Sequence, residues 1–167
     1  MQVLKVENIS KVYGTKKSSN KYTALRNISF EVNQGDFIGV MGASGSGKTT
    51  LLNILGSLDK PTTGRFIMNG HDISTFHKND LAKHRIENIG FIFQDYNLLE
   101  TMTLKENIIL PLSLMGRDVK TIEAQVAKLA GDLGITHVIG KYPYEVSGGE
   151  QQRAAACRAL INNPKMI

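Results

Sequence analysis

Phe37-Ile38-Gly39-Val40-Met41-Gly42-Ala43-Ser44-Gly45-Ser46-Gly47-Lys48-Thr49-Thr50-Leu51-Leu52-Asn53-Ile54-Leu55 is the stretch of sequence that decides the fold. It opens on a continuous apolar run, the pattern of a strand covered on both faces and so of a central parallel sheet. At its far end Leu51, Leu52, Ile54 and Leu55, with Leu58 beyond, are spaced around most of a helix, which predicts a buried helix closed off by Pro61 and Gly64. Between the two, Gly42, Ala43, Ser44, Gly45, Ser46, Gly47, Lys48 and Thr49 fit the G-x-x-x-x-G-K-[ST] pattern in the strand-to-helix context it requires. Glycines let successive backbone N–H groups turn inward around an anion, and the helix N-terminus adds partial positive charge. Lys48 is suited to the β and γ phosphates of a nucleotide, the Thr49 hydroxyl to the hard ion Mg2+, and Thr50 to the α phosphate. A flexible Gly/Ser loop also satisfies the bare pattern, but the flanking strand and helix favour a phosphate cradle.

Working outward, Val3 to Val12 alternates apolar and polar side chains like a half-buried strand, and a polar loop holding Lys16, Lys17 and Lys21 runs from Gly14 to about Thr23. A second strand follows through Ile28 to Val32, with a turn at Asn33-Gln34-Gly35-Asp36. Phe66 to Met68, Asn69-Gly70 and Asp72-Ile73 together read as a hairpin, because Asn-Gly tolerates the positive φ angles of a two-residue turn. Ile89-Gly90-Phe91-Ile92-Phe93 is a second buried-strand candidate, delivering Gln94 at its end. Beyond it, residues of about 96–145 read as a helical insert: Thr103 with Glu106 forms a capping box for a helix interrupted at Pro111, and Ile122, Val126, Leu129 and Leu133 mark a helix ending at Gly134. Ser147-Gly148-Gly149-Glu150 opens another helix. Its residues form a second anion site at a helix N-terminus or, taken alone, an ordinary Ser-x-x-Glu capping box.

With 167 residues, 41% hydrophobic and 21% charged, the composition is that of one soluble globular domain. No apolar run is long enough to cross a bilayer and the start lacks the features of a secretory signal, so a cytoplasmic location is expected. The net charge of +5 is scattered: Lys78, Lys83 and Arg85 alternate with Asp80 and Glu87 as on a solvated surface, and no nucleic-acid partner is expected. Cys157, the single cysteine, lies among alanines in a helical pattern and reads as a small packing residue.

Two motifs in this order, the phosphate loop and Val146-Ser147-Gly148-Gly149-Glu150-Gln151-Gln152-Arg153, resemble the ABC ATPases, the second being similar to that family's LSGGQ signature with departures at Val146 and Glu150. The resemblance implies a P-loop NTPase α/β fold: a RecA-like core with a mainly parallel sheet, an N-terminal antiparallel β-subdomain and a helical subdomain. The expected limits are about 1–94 for the β-subdomain and phosphate-loop core, about 95–146 for the helical subdomain, and 147–167 for the signature helix with the start of a core strand. The cofactors implied are ATP and Mg2+. Tyr13 looks like the aromatic that stacks on adenine, and Gln94 like the glutamine that contacts Mg2+ and positions the attacking water. Ser147, Gly148, Gly149 and Glu150 would meet ATP held by the Lys48 loop of a second copy in a head-to-tail dimer that drives a membrane permease from the inner face of the membrane.

Ala24-Leu25-Arg26-Asn27-Ile28-Ser29-Phe30, Leu51 to Gly56 and Phe93 to Leu99 are further similar to the exporter branch of lipoprotein-release, macrolide and bacitracin-type peptide transporters. In that family an aspartate, a glutamate and a switch histidine follow the signature. Pro164-Lys165-Met166-Ile167 resembles the opening of the strand that carries the carboxylates, so a partial gene product, unable to hydrolyse ATP by itself, is expected. His71, His77, His84 and His137 precede the signature and read as polar surface residues. Two rivals stand beside a transport ATPase: an ABC ATPase acting on nucleic acid or the ribosome, and an ATP-binding module without turnover.

Overall fold

The computed structural model describes residues 1–14, 21–116 and 118–167; Lys16 and Lys17 of the polar loop lie outside the described residues. The chain forms two compact units, Met1–Lys83 and His84–Ile167.

In the first unit β1 (Gln2–Tyr13), β2 (Tyr22–Asn33), β3 (Thr63–Met68) and the short β4 (His71–Asp72) form an antiparallel sheet in the order β2-β1-β3-β4. Alternation along β1 and β3 turns Leu4, Val6, Phe66 and Met68 to one face, where all four are buried. A register shift between Val6 and Ile9, with Asn8 at φ 50°, moves the pattern by one residue, so that Ile9 rather than Asn8 faces inward. The predicted hairpin forms, with Asn69 at φ 49° and Gly70 at φ 81° joining β3 to β4. After Asn33 the predicted turn closes through the Asp36 N–H, which donates to the Asn33 carbonyl at 3.1 Å.

Two of the expected strands do not form. Residues 37–41 follow the turn as irregular chain, with Phe37 fully exposed and Met41 93% exposed. A strand exists through its neighbours' hydrogen bonds, and no described residue pairs with this run; hydrophobicity alone supplies no ladder. In the second unit residues 89–93 reach only a single parallel bridge, Ile89 to Met166, with the Gly90 N–H donating to the Met166 carbonyl at 2.8 Å. Ile89 and Gly90 are buried, whereas Ile92 and Phe93 are exposed beyond the reach of that pairing. The segment that resembled the opening of a core strand therefore does pair in parallel, over one bridge.

The helix after the phosphate loop, α1 (Lys48–Leu55), buries Leu51, Ile54 and Leu55, but Leu52 is 53% exposed and Leu58 51% exposed, so it is amphipathic rather than surrounded. A further helix, α2 (Lys78–Asn88), places Leu81 and His84 three residues apart on one face, which is why His84 is buried while His71, His77 and His137 are exposed.

The second unit is built on α3 (Leu104–Leu114), α4 (Val119–Asp132) and α5 (Gly148–Leu160). Leu104, Ile108 and Leu112 of α3, Ile122, Val126 and Ala130 of α4, and Ala154 and Cys157 of α5 share one core. The Thr103–Glu106 capping box forms as predicted, but α3 continues through Pro111 to Leu114 instead of breaking there. Its i, i+4, i+8 stripe, Leu104-Ile108-Leu112, straddles the proline, and burying Leu112 offsets the lost backbone bond. Asn107, fully buried, is satisfied by accepting from the Leu99 N–H and donating to the carbonyls of Leu99, Met102 and Thr103, and so fixes the turn that leads into α3. Cys157 is a packing residue as expected: burial, with the negative charge of Asp132 adding to it, pushes its thiol up to about 11.

Candidate functional site

The phosphate loop of the first unit turns on glycine. Gly42, Gly45 and Gly47 have φ of 155°, 78° and 91°. A Cβ on Gly47 would stand 2.4 Å from the Ala24 carbonyl oxygen and 2.9 Å from Leu25, because the loop backbone lies directly on β2 as it enters α1. Sterics thus admit only glycine at the point where the chain must reverse to begin the helix. One on Gly42 would meet the Ser46 hydroxyl at 2.7 Å, whereas one on Gly45 would meet nothing within 4 Å.

Lys48 folds back into this loop, its ammonium donating to the carbonyls of Gly42 at 2.8 Å and Ala43 at 2.7 Å. The Ser46 N–H donates to the same Ala43 carbonyl at 3.2 Å. Around them lies an open depression of about 240 Å³ lined by Tyr22, Ser44, Gly45, Lys48, Thr49 and Thr50. A cation, hydroxyls and the unpaired first N–H groups of an eight-residue helix therefore converge on one polar hollow. That donor set fits a polyphosphate, and the Thr49 hydroxyl beside it fits a hard divalent cation.

Tyr13 sits at the end of β1, 40% exposed, with its hydroxyl donating to Asp59 at 3.0 Å and the Lys11 ammonium 5.0 Å from its ring centroid. Burial raises the Asp59 carboxyl, but hydrogen bonds from Lys11, the Lys60 backbone and Tyr13 outweigh it and leave the pKa below its ordinary value. The aromatic that lines the depression is instead Tyr13's cross-strand partner Tyr22, whose hydroxyl donates to the Gly45 carbonyl at 3.0 Å. Nothing in the sequence singles out Tyr22, since its place opposite Tyr13 depends on the strand register across the intervening loop.

In the second unit Ser147 caps α5. The Glu150 N–H donates to its hydroxyl, and both that hydroxyl and the Ser147 N–H donate to the Glu150 carboxylate, at 2.7 and 2.8 Å. Those two bonds, first the hydroxyl and then the backbone, hold the Glu150 carboxyl below the usual carboxylate range, and His137 stands 3.2 Å from it. The capping box read as the alternative is thus present, and it leaves Ser147, Gly148 and Gly149 exposed at the helix N-terminus. Gln94 is exposed and begins a turn in which Tyr96 and Asn97 both take left-handed backbone, at φ 58° and 47°.

Arg158 of α5 holds that turn, donating to the carbonyls of Tyr96 at 2.6 Å and Asn97 at 2.5 Å; sequence reasoning missed it because one arginine in a helix carries no signal of its partner. A bulky residue in left-handed backbone is strained, and the guanidinium fork is what fixes it. Arg158→Ala is expected to cost about 1.5 to 3 kcal/mol in urea denaturation, with Arg158→Lys recovering only part, because a point charge does not span two carbonyls as a fork does. An alanine variant as stable as the parent would remove this role.

The family profile described as ABC transporter matches residues 25–167. The chain belongs to the ABC transporter family. It is 48% identical over its whole length to the uncharacterized ABC transporter ATP-binding protein YvcR of Bacillus subtilis, covering 64% of that protein. To the bacitracin export ATP-binding protein BceA of Halalkalibacterium halodurans it is 47% identical over its whole length, covering 65%. The chain thus spans a little under two thirds of these relatives. Among solved structures, a dimeric post-hydrolysis state of the ATP-binding cassette MJ0796 bound to ADP and Pi superposes with a TM-score of 0.84 at 34% identity, over 96% of this chain and 70% of that one. The ABC cassette fold, α/β with an antiparallel N-terminal sheet and a helical part, is therefore the fold of this chain. None of its described helices is long and apolar enough to cross a membrane.

Proposed function

We propose that this chain is the nucleotide-binding part of a single ATP-binding domain whose whole protein hydrolyses ATP to drive a membrane permease. The observation that carries the proposal is the polar hollow at the N-terminus of α1, where the Lys48 ammonium, the Thr49 and Thr50 positions and the turned-in loop backbone converge. In this role residues 42–50 hold the triphosphate, the Thr49 hydroxyl is a ligand for Mg2+, and Tyr13 stacks on the adenine. The catalytic carboxylates that the family resemblance calls for have no counterparts among these 167 residues, so turnover is proposed only for the whole protein.

Ser147, Gly148, Gly149 and Glu150 would meet the γ phosphate held by a second copy, arranged head to tail. The exposed, glycine-rich start of α5 supports this, as does the dimeric, ADP-bound state of the related cassette. The permease would place the protein peripherally on the cytoplasmic face of the membrane. Likeness to a bacitracin export protein points to an antimicrobial peptide or similar amphipathic compound as the transported molecule.

Complementation in the whole protein tests the arrangement. Ser147→Arg should abolish turnover while sparing nucleotide binding, and Lys48→Ala should abolish it through the other half of the same site. Mixing the two variants should restore activity above either alone, because a mixed dimer keeps one intact composite site; no recovery would count against action across the dimer.

A further inference from the structure

Resting on the polyphosphate reading of the Lys48 loop, we propose that Tyr22 is a positioning residue of that loop, holding the Gly45–Ser46 peptide through its hydroxyl so that the cradle is preformed for phosphate. A peptide unit is a rigid plane with its C=O and N–H on opposite edges. Here both edges are fastened: the Gly45 carbonyl accepts from the Tyr22 hydroxyl at 3.0 Å, and the Ser46 N–H donates to the Ala43 carbonyl at 3.2 Å.

The plane needs fastening because of what lies beside it. Gly45 stands at φ 78° with nothing within 4 Å of where its Cβ would be, so packing does not restrain its rotation. Gly47, two residues on, is wedged against the Ala24 carbonyl and cannot move. Tyr22, Ala24 and Leu25 all belong to β2, so one strand fixes the loop at two points, by contact at Gly47 and by a hydrogen bond at Gly45. Without the second point only the bond from the Ser46 N–H to the Ala43 carbonyl restrains the Gly45 half of the loop, and binding must order it further. Tyr13, the aromatic assigned to the base, makes its own bond to Asp59 and is not part of this tie.

The test is titration of the chain with Mg-ATP and with inorganic tripolyphosphate, comparing the parent with Tyr22→Phe, Tyr22→Ala and Lys48→Ala. Loss of one neutral hydrogen bond should weaken both ligands about three- to tenfold in Tyr22→Phe, and by the same factor for each, since both use the loop. Exchange of the Ser46 amide should accelerate in that variant while the sheet amides of Val6 and Ile28 keep their rates, which separates a local tie from loss of the fold. Unchanged affinity for both ligands in Tyr22→Phe, with Lys48→Ala still weakened, would overturn the proposal and leave the phosphate site standing. A loss confined to ATP would overturn it too, by making Tyr22 a base contact. Tripolyphosphate binding indifferent to Lys48→Ala would overturn the polyphosphate reading itself, and this proposal with it.

Discussion

Replacing Lys48 with alanine is expected to lower the affinity of this chain for Mg-ATP by about ten- to a hundredfold. Its ammonium is held at the mouth of the loop by two neutral carbonyls, those of Gly42 and Ala43, at 2.8 and 2.7 Å. A phosphate oxygen offered to the same ammonium adds the opposite charge, and a hydrogen bond to a charged group contributes about 1.5 to 3 kcal/mol. Alanine removes the one side-chain cation that lines the hollow among the described residues, while the loop backbone and the α1 N-terminus remain to bind weakly. Calorimetric titration of folded parent and variant decides it, and equal dissociation constants would refute the role.

The second large effect is on the fold of the loop. Gly47→Ala should destabilise the first unit by about 2 to 5 kcal/mol, adding the left-handed penalty for a residue with a Cβ to the cost of overpacking. The φ of 91° and the 2.4 Å approach of the Ala24 carbonyl are independent reasons, and the carbonyl cannot yield without disturbing β2. Gly45→Ala is the internal control: its φ of 78° brings the strain, but its surroundings are open, so about 1 to 2 kcal/mol is expected. Urea denaturation of the two variants tests the difference; a Gly47→Ala protein as stable as Gly45→Ala would mean that β2 does not constrain the loop.

What the sequence revealed follows the range of the forces involved. The phosphate loop, the Asn69-Gly70 hairpin and the capping box at Thr103 are legible because each is settled by a few neighbouring residues and their backbone angles. Residues 37–41 and 89–93 are apolar enough to be strands, yet pairing depends on distant partners that local pattern does not reveal, and among the described residues only Ile89 finds a bridge partner. Pro111 misled for the opposite reason: a local rule gave way to the buried stripe of Leu104, Ile108 and Leu112. His84 reads as surface in the sequence because one turn of charged neighbours hides the face it shares with Leu81. At the site, the motifs named Lys48, Thr49 and Ser147 by type and spacing, whereas Tyr22 and Arg158 act on backbone carbonyls 23 and about 60 residues away, which no motif encodes.

The most direct test of the polyphosphate site is displacement of bound Mg-ATP from the chain by inorganic tripolyphosphate, followed in parallel with displacement by adenosine. Saturable ATP binding that tripolyphosphate competes away, with adenosine a much weaker competitor, is the expected result, because the hollow at Lys48, Thr49 and Thr50 is lined by hydrogen-bond donors suited to phosphate oxygens. Binding that adenosine displaces and tripolyphosphate leaves untouched would contradict it.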